Sequence, residues 1–97
     1  MTIYEKLCIA RDKVMEEDWD YVSKSIKMEI LTRLIEEAFL NKENPDKLPK
    51  TFTINNIFCT NTEYIKKMVE EFGIEVESVE FFRKDSFLHN SFFVKVT

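Results

Sequence analysis

Apolar residues recur at helical spacing in two stretches before the first proline. Thr2 and Glu5 stand at a capping-box spacing, and Ile3, Tyr4, Leu7, Cys8, Val14 and Met15 follow on one stripe, which predicts a helix over about 3–17. Four acids then crowd into Glu16, Glu17, Asp18, Trp19, Asp20, where the positive end of a helix dipole favours them, so a second helix is expected to begin there. Val22, Ile26, Ile30, Leu31, Leu34, Ile35, Ala38 and Phe39 carry it over about 20–41, and so wide an apolar face needs more than one neighbour to cover it. Pro45 and Pro49 bias the residues before them away from helix and make Lys42–Lys50 a connector.

Beyond the connector the period drops to two. Phe52, Ile54 and Phe58 fall on the inward side of a strand over about 51–58, with Thr51, Thr53, Asn55 and Ile57 on the other side and Asn56 out of pattern. Thr60 and Glu63 repeat the capping spacing before a third helix over about 61–72, built on Tyr64, Ile65, Met68, Val69 and Phe72. Gly73 stands where a left-handed residue ends a helix. Ile74 and Val76, then Val79 and Phe81, set the inward side of a strand over about 74–83, and the slip in phase at Ser78 predicts a bulge. Phe92, Val94 and Val96 define a last strand over about 91–97.

This order implies one α+β domain over 1–97, a two-layer αα-βαββ arrangement with a small mixed three-stranded sheet and helices mainly on one face. The strand, helix, strand unit makes its two strands co-directional, and the short return makes the third antiparallel to the second. Orders 1-3-2 and 1-2-3 both satisfy the pattern.

Composition narrows the chemistry. A single glycine in 97 residues, where average usage gives about seven, leaves no phosphate loop, dinucleotide turn or nucleophile elbow. A net charge of −4 is the wrong sign for holding phosphates. Cys8 and Cys59 lie far apart in apolar surroundings and read as reduced core thiols of a cytoplasmic protein. The longest apolar run, Leu7–Ala10, is too short for a membrane span or a signal peptide. No residue pattern calls for a metal or another cofactor, and no catalytic residue is assigned.

The surplus of aromatic surface points elsewhere. Phe81, Phe82, Phe87, Leu88, Phe92 and Phe93 crowd into the last two strands, and adjacent Phe residues on a strand point to opposite faces. With helices on one face, the other is left partly apolar, which marks a protein interface or a homodimer. Phe82, Phe87, Leu88 and Phe93, rimmed by Glu75, Glu77 and Glu80, are the expected docking residues. The loop carrying Arg83, Lys84, Phe87 and His89 resembles the wing of a winged-helix DNA binder in character, although the order lacks the two tandem helices such a fold needs. Arg83, Lys84 and His89 are therefore the candidates for a nucleic-acid alternative. Cys59 and His89, brought to one sheet end by the topology, would serve a third reading as thiol and base. The expectation is a small non-catalytic regulatory or inhibitory protein, of the accessory kind found in bacteria and their phages.

Overall fold

Thr2 caps the first helix, α1 (Ile3–Glu16): its hydroxyl oxygen accepts the Glu5 N–H at 3.2 Å and donates to the Glu5 carboxylate at 3.3 Å. The structure is a computed structural model in which residues 2–17, 20–41, 46–84 and 89–97 are described, and the chain divides into two units, Met1–Pro49 and Lys50–Thr97. In the first unit α1 closes at Glu17, whose N–H reaches the carbonyls of Lys13 and Val14. The second helix, α2 (Tyr21–Leu40), opens at Asp20, whose Oδ1 accepts the Ser23 N–H at 3.0 Å. That bond holds the Asp20 carboxyl below its ordinary range. The acids before α2 thus include its cap; Asp18 and Trp19 lie outside the described residues.

Lys24, in the first turn of α2, donates from Nζ to the carbonyls of Met15 at 2.8 Å and Glu17 at 3.4 Å, satisfying orphan acceptors at the end of α1. At the opposite end the rings of Tyr4 and Phe39 lie 5.8 Å apart. Each helix therefore begins beside the end of the other, and the pair is antiparallel. Leu7 and Val14 are the buried positions of α1, and α2 buries Ile26, Ile30, Leu31, Leu34, Ile35 and Ala38 together with Lys27. Val22 and Phe39, expected on that stripe, are exposed, Phe39 by 71 %, because each sits in a terminal turn. Asn41 ends α2 and donates from Nδ2 to the Lys47 carbonyl at 2.7 Å.

The second unit runs β1 (Thr51–Ile57), α3 (Thr62–Glu71), β2 (Val76–Lys84), β3 (Asn90–Val96). Its sheet has the order β1-β3-β2, with β3 antiparallel to both neighbours. The expected mixed sheet is therefore corrected to a wholly antiparallel one. β1 and β2 do run the same way, but β3 inserts between them, so no parallel pair forms. α3 lies against β2, giving the unit one helix layer and one sheet layer.

The register explains where expectation and structure part. Phe52 pairs with Val94 and Ile54 with Phe92, and then β1 takes one extra residue before Ile57 pairs with Asn90. Asn56 holds that bulge at φ 57°, a left-handed conformation that Asn tolerates. The bulge reverses the phase: Ile57 is buried and Phe58 is 46 % exposed, the opposite of the simple alternation. Asn56, out of pattern in the sequence, is the residue that turns the strand over.

β2 is bulged twice, between Val76 and Ser78 as expected and again between Phe81 and Arg83. It begins at Val76, although Ile74 ahead of it is already buried. Phe92, Val94, Ile54 and Ile57 form the sheet's share of the core, and α3 contributes Ile65, Met68 and Val69. Burial of one such side chain is worth about 1.5–3 kcal/mol. The α3 cap is Asn61 instead of Thr60, its Oδ1 accepting the N–H groups of Glu63 at 2.9 Å and Tyr64 at 3.2 Å. Gly73 follows at φ 88°, as the helix end requires.

Candidate functional site

β3 divides its side chains between two faces. Asn90, Phe92, Val94 and Val96 point into the core, while Ser91, Phe93 and Lys95 point to the outer face. On the outer face Phe93 is flanked by its cross-strand partners Thr53 and Glu80, and Lys95 by Thr51 and Ser78. Lys95 also reaches the Glu77 carboxylate at 3.7 Å, which places Glu77 on this face. The bulge between Val76 and Ser78 thus brings Glu77 and Glu80 to one side of the sheet despite their odd spacing.

The second bulge does the same for Arg83. It sets Phe82 and Arg83 together opposite Ser91, on the face of Phe93, and leaves Phe82 62 % exposed. Phe81 takes the inner face, where its ring lies 5.2 Å from that of Phe92, and Lys84 places Nζ 5.2 Å from the Phe81 centroid. The adjacent bases Arg83 and Lys84 are thereby sent to opposite faces.

Of the expected docking residues, Phe82, Phe93, Glu77 and Glu80 share this face. Glu75 does not join them: it precedes β2, and its carbonyl and carboxylate take hydrogen bonds from Thr97. Phe87 and Leu88 lie outside the described residues. Phe81 and Phe92 take the inner face, as the alternation predicts, although Phe81 remains 38 % exposed.

The other candidate constellation lies where β1 and β2 end. Asn90, the first residue of β3, pairs with Ile57 on one side and Lys84 on the other, so both strands finish beside it. Its Nδ2 donates to the Cys59 carbonyl at 2.9 Å, its Oδ1 is buried without a partner, and the residue is only 1 % exposed. His89 turns its ring edge-on to Phe58 at 6.0 Å. Cys59 is half-buried, and its sulfur accepts the Asn61 N–H at 3.4 Å and lies 3.5 Å from the Asn61 carbonyl, to which the thiol donates. The topology brings Cys59 and His89 to the same sheet end, yet the contacts described for each lead away from the other, to Asn61 and to Phe58.

No known family, curated protein or solved structure matches this chain. Its chemistry therefore rests on the geometry above. Among the described residues no group of His, Cys, Asp or Glu converges to hold a metal ion, and no helix is long and apolar enough to cross a membrane. Cys8 and Cys59 are both free thiols and both only half-buried, where fully buried ones were expected.

Two buried polar residues escaped the sequence reading. Asn90 has the inward phase of Phe92, Val94 and Val96, and Lys27 lies on the stripe of Leu31, Leu34 and Ala38. Extending each apolar period one step further back finds both.

Proposed function

We propose that the protein acts by binding another protein, with no catalysis of its own, and that it docks through the outer face of the β2–β3 hairpin. One observation carries this reading: the bulge opposite Ser91 holds Phe82 out to solvent beside Phe93, within a rim of Glu77, Glu80, Arg83 and Lys95. A large exposed aromatic in a charged ring suits a partner with an apolar pocket, where a buried anchor supplies most of the binding energy. The rim charges would set its orientation and encounter rate. Such a role is regulatory or inhibitory in character. A nucleic-acid role draws less support, because Arg83 and Lys84 face apart and the net charge is negative.

The test is affinity capture with the wild-type chain and with Phe82→Ser, followed by titration against the protein that is captured. Phe82→Ser should retain the wild-type fold and weaken binding by tenfold or more, on the order of the loss of one interface anchor. Equal binding by both chains would refute the assigned face.

A further inference from the structure

The α1–α2 pair of the first unit carries a second apolar face besides its buried one. Along α2, Tyr21, Ser25, Met28, Thr32, Ile35 and Phe39 recur at alternating intervals of four and three residues, with no charged side chain among them. Along α1, Tyr4, Cys8 and Met15 follow the same intervals, interrupted by Arg11. The ring contact of Tyr4 with Phe39 puts both stripes on one face of the antiparallel pair. Most of that face is open to solvent: Tyr21 is 87 % exposed, Phe39 71 %, Met15 56 % and Tyr4 36 %, with Cys8 and Met28 half-buried. A helix face left to water is normally polar, so this one lacks its cover.

Intervals of four and three are those at which one helix meets another along its length. From Tyr21 to Phe39 the stripe runs about 27 Å, roughly five helical turns. The rim gives the charge of the helix that would fit. Asp12 lies one helical turn from both Cys8 and Met15, as Glu29 does from Ser25 and Thr32. Both acids are exposed, and neither meets a basic side chain among the described residues. The bases of the pair are turned away or engaged: Lys6 and Lys13 lie on the far side of α1, Arg33 is held by Glu36 and Glu37, and Lys24 by the carbonyls of Met15 and Glu17. A second copy would bring like-charged rims together, whereas a basic helix would find a partner on each rim. We infer that this face binds an amphipathic helix of a partner protein, apolar at the same intervals and flanked by Lys or Arg. The exposed methionine and aromatic side chains suit an apolar helix laid in the groove between α1 and α2. The inference goes beyond the proposed docking face, since it uses the first unit and Phe82 belongs to the second.

The test is fluorescence anisotropy with a labelled synthetic peptide of about five helical turns, leucine at alternating intervals of four and three and lysine elsewhere. One control peptide replaces lysine by glutamate, and another keeps the composition but scrambles the order. The wild-type chain should bind the first peptide at least about tenfold more tightly than either control. Tyr21→Ser and Phe39→Ser should each weaken that binding by about tenfold. Asp12→Lys with Glu29→Lys should do so as well, and should flatten its salt dependence. Glu70→Lys with Glu71→Lys, the same change of net charge on α3, should bind as the wild type does. No binding, equal binding of the scrambled peptide, face or rim variants that bind normally, or an equal loss in the α3 variant would each overturn the inference. Sedimentation velocity on the free chain adds a further outcome: a dimer lost in Phe39→Ser would give the face to a second copy and overturn it too. Circular dichroism on each variant confirms folding. Phe82→Ser should bind the peptide normally, so either proposal can fail while the other stands.

Discussion

Asn90 offers the most informative perturbation of the fold. Its amide is buried at the end of the sheet, one hydrogen bond, from Nδ2 to the Cys59 carbonyl at 2.9 Å, ties β3 to the turn between β1 and α3, and Oδ1 has no partner. Asn90→Ala removes the donor and strands the Cys59 carbonyl, at a cost of about 1–3 kcal/mol, but it also removes an unsatisfied acceptor that the fold already carries. The two terms partly cancel, so the net loss is set largely by the space left behind and should be about 1–2 kcal/mol.

Asn90→Asp is different although nearly isosteric. It replaces the donor with a second acceptor against the Cys59 carbonyl and buries a charge without a partner, which costs about 3–5 kcal/mol. That is a large share of the roughly 5–15 kcal/mol typical of a small domain. The Asp variant must also respond to pH. Burial raises the carboxyl's folded pKa above its unfolded value of about 3.9, so the variant is firmest below that value and loses stability as pH rises through the folded pKa. Protonated, it can donate to the Cys59 carbonyl as Asn does. Urea unfolding of wild type, Ala and Asp variants at neutral and acid pH reads these differences from the midpoints. An Asp variant no weaker than the Ala variant at neutral pH, or one whose deficit relative to wild type ignores pH, would refute the reasoning.

Two further substitutions test the local devices of the fold. Asn56→Gly should change stability by less than about 0.5 kcal/mol because glycine adopts φ 57° freely, whereas Asn56→Val should cost about 1–2 kcal/mol, both read from thermal unfolding. Asp20→Ala should lower the unfolding midpoint at neutral pH by removing the cap of α2. Because the folded pKa of Asp20 is depressed, its ionised form stabilises the fold above the unfolded value, and that contribution fades as pH falls through the folded one. The gap between wild type and Asp20→Ala should narrow on acidification over that range.

The six elements and their order could be read along the chain because each depends on neighbours a few residues away: a cap at Thr2, a stripe of period 3.6, a terminal Gly73, an alternation of period two. The bulge before Ser78 was legible for the same reason, since it breaks a local phase. The bulges at Asn56 and Phe82 were not, because a bulge is defined by two residues facing one on another strand, and β3 is distant in sequence from β1. Glu80, Phe82 and Phe93 could be placed outward by alternation and Glu77 through the bulge at Ser78, whereas Arg83 joins them only through the second bulge.

What the sequence by itself determined is therefore local: an α+β order of elements, their approximate ends, and an excess of phenylalanine over what one helix layer could shelter. Tertiary structure decided the rest. It placed β3 between β1 and β2, turned Ile57 inward and Phe58 outward at the Asn56 bulge, and brought Arg83 onto the face of Phe82 and Phe93. The physical reason is that alternation specifies sides only within an uninterrupted strand, whereas pairing between distant strands decides where an extra residue is accommodated and which side chains face solvent beyond it.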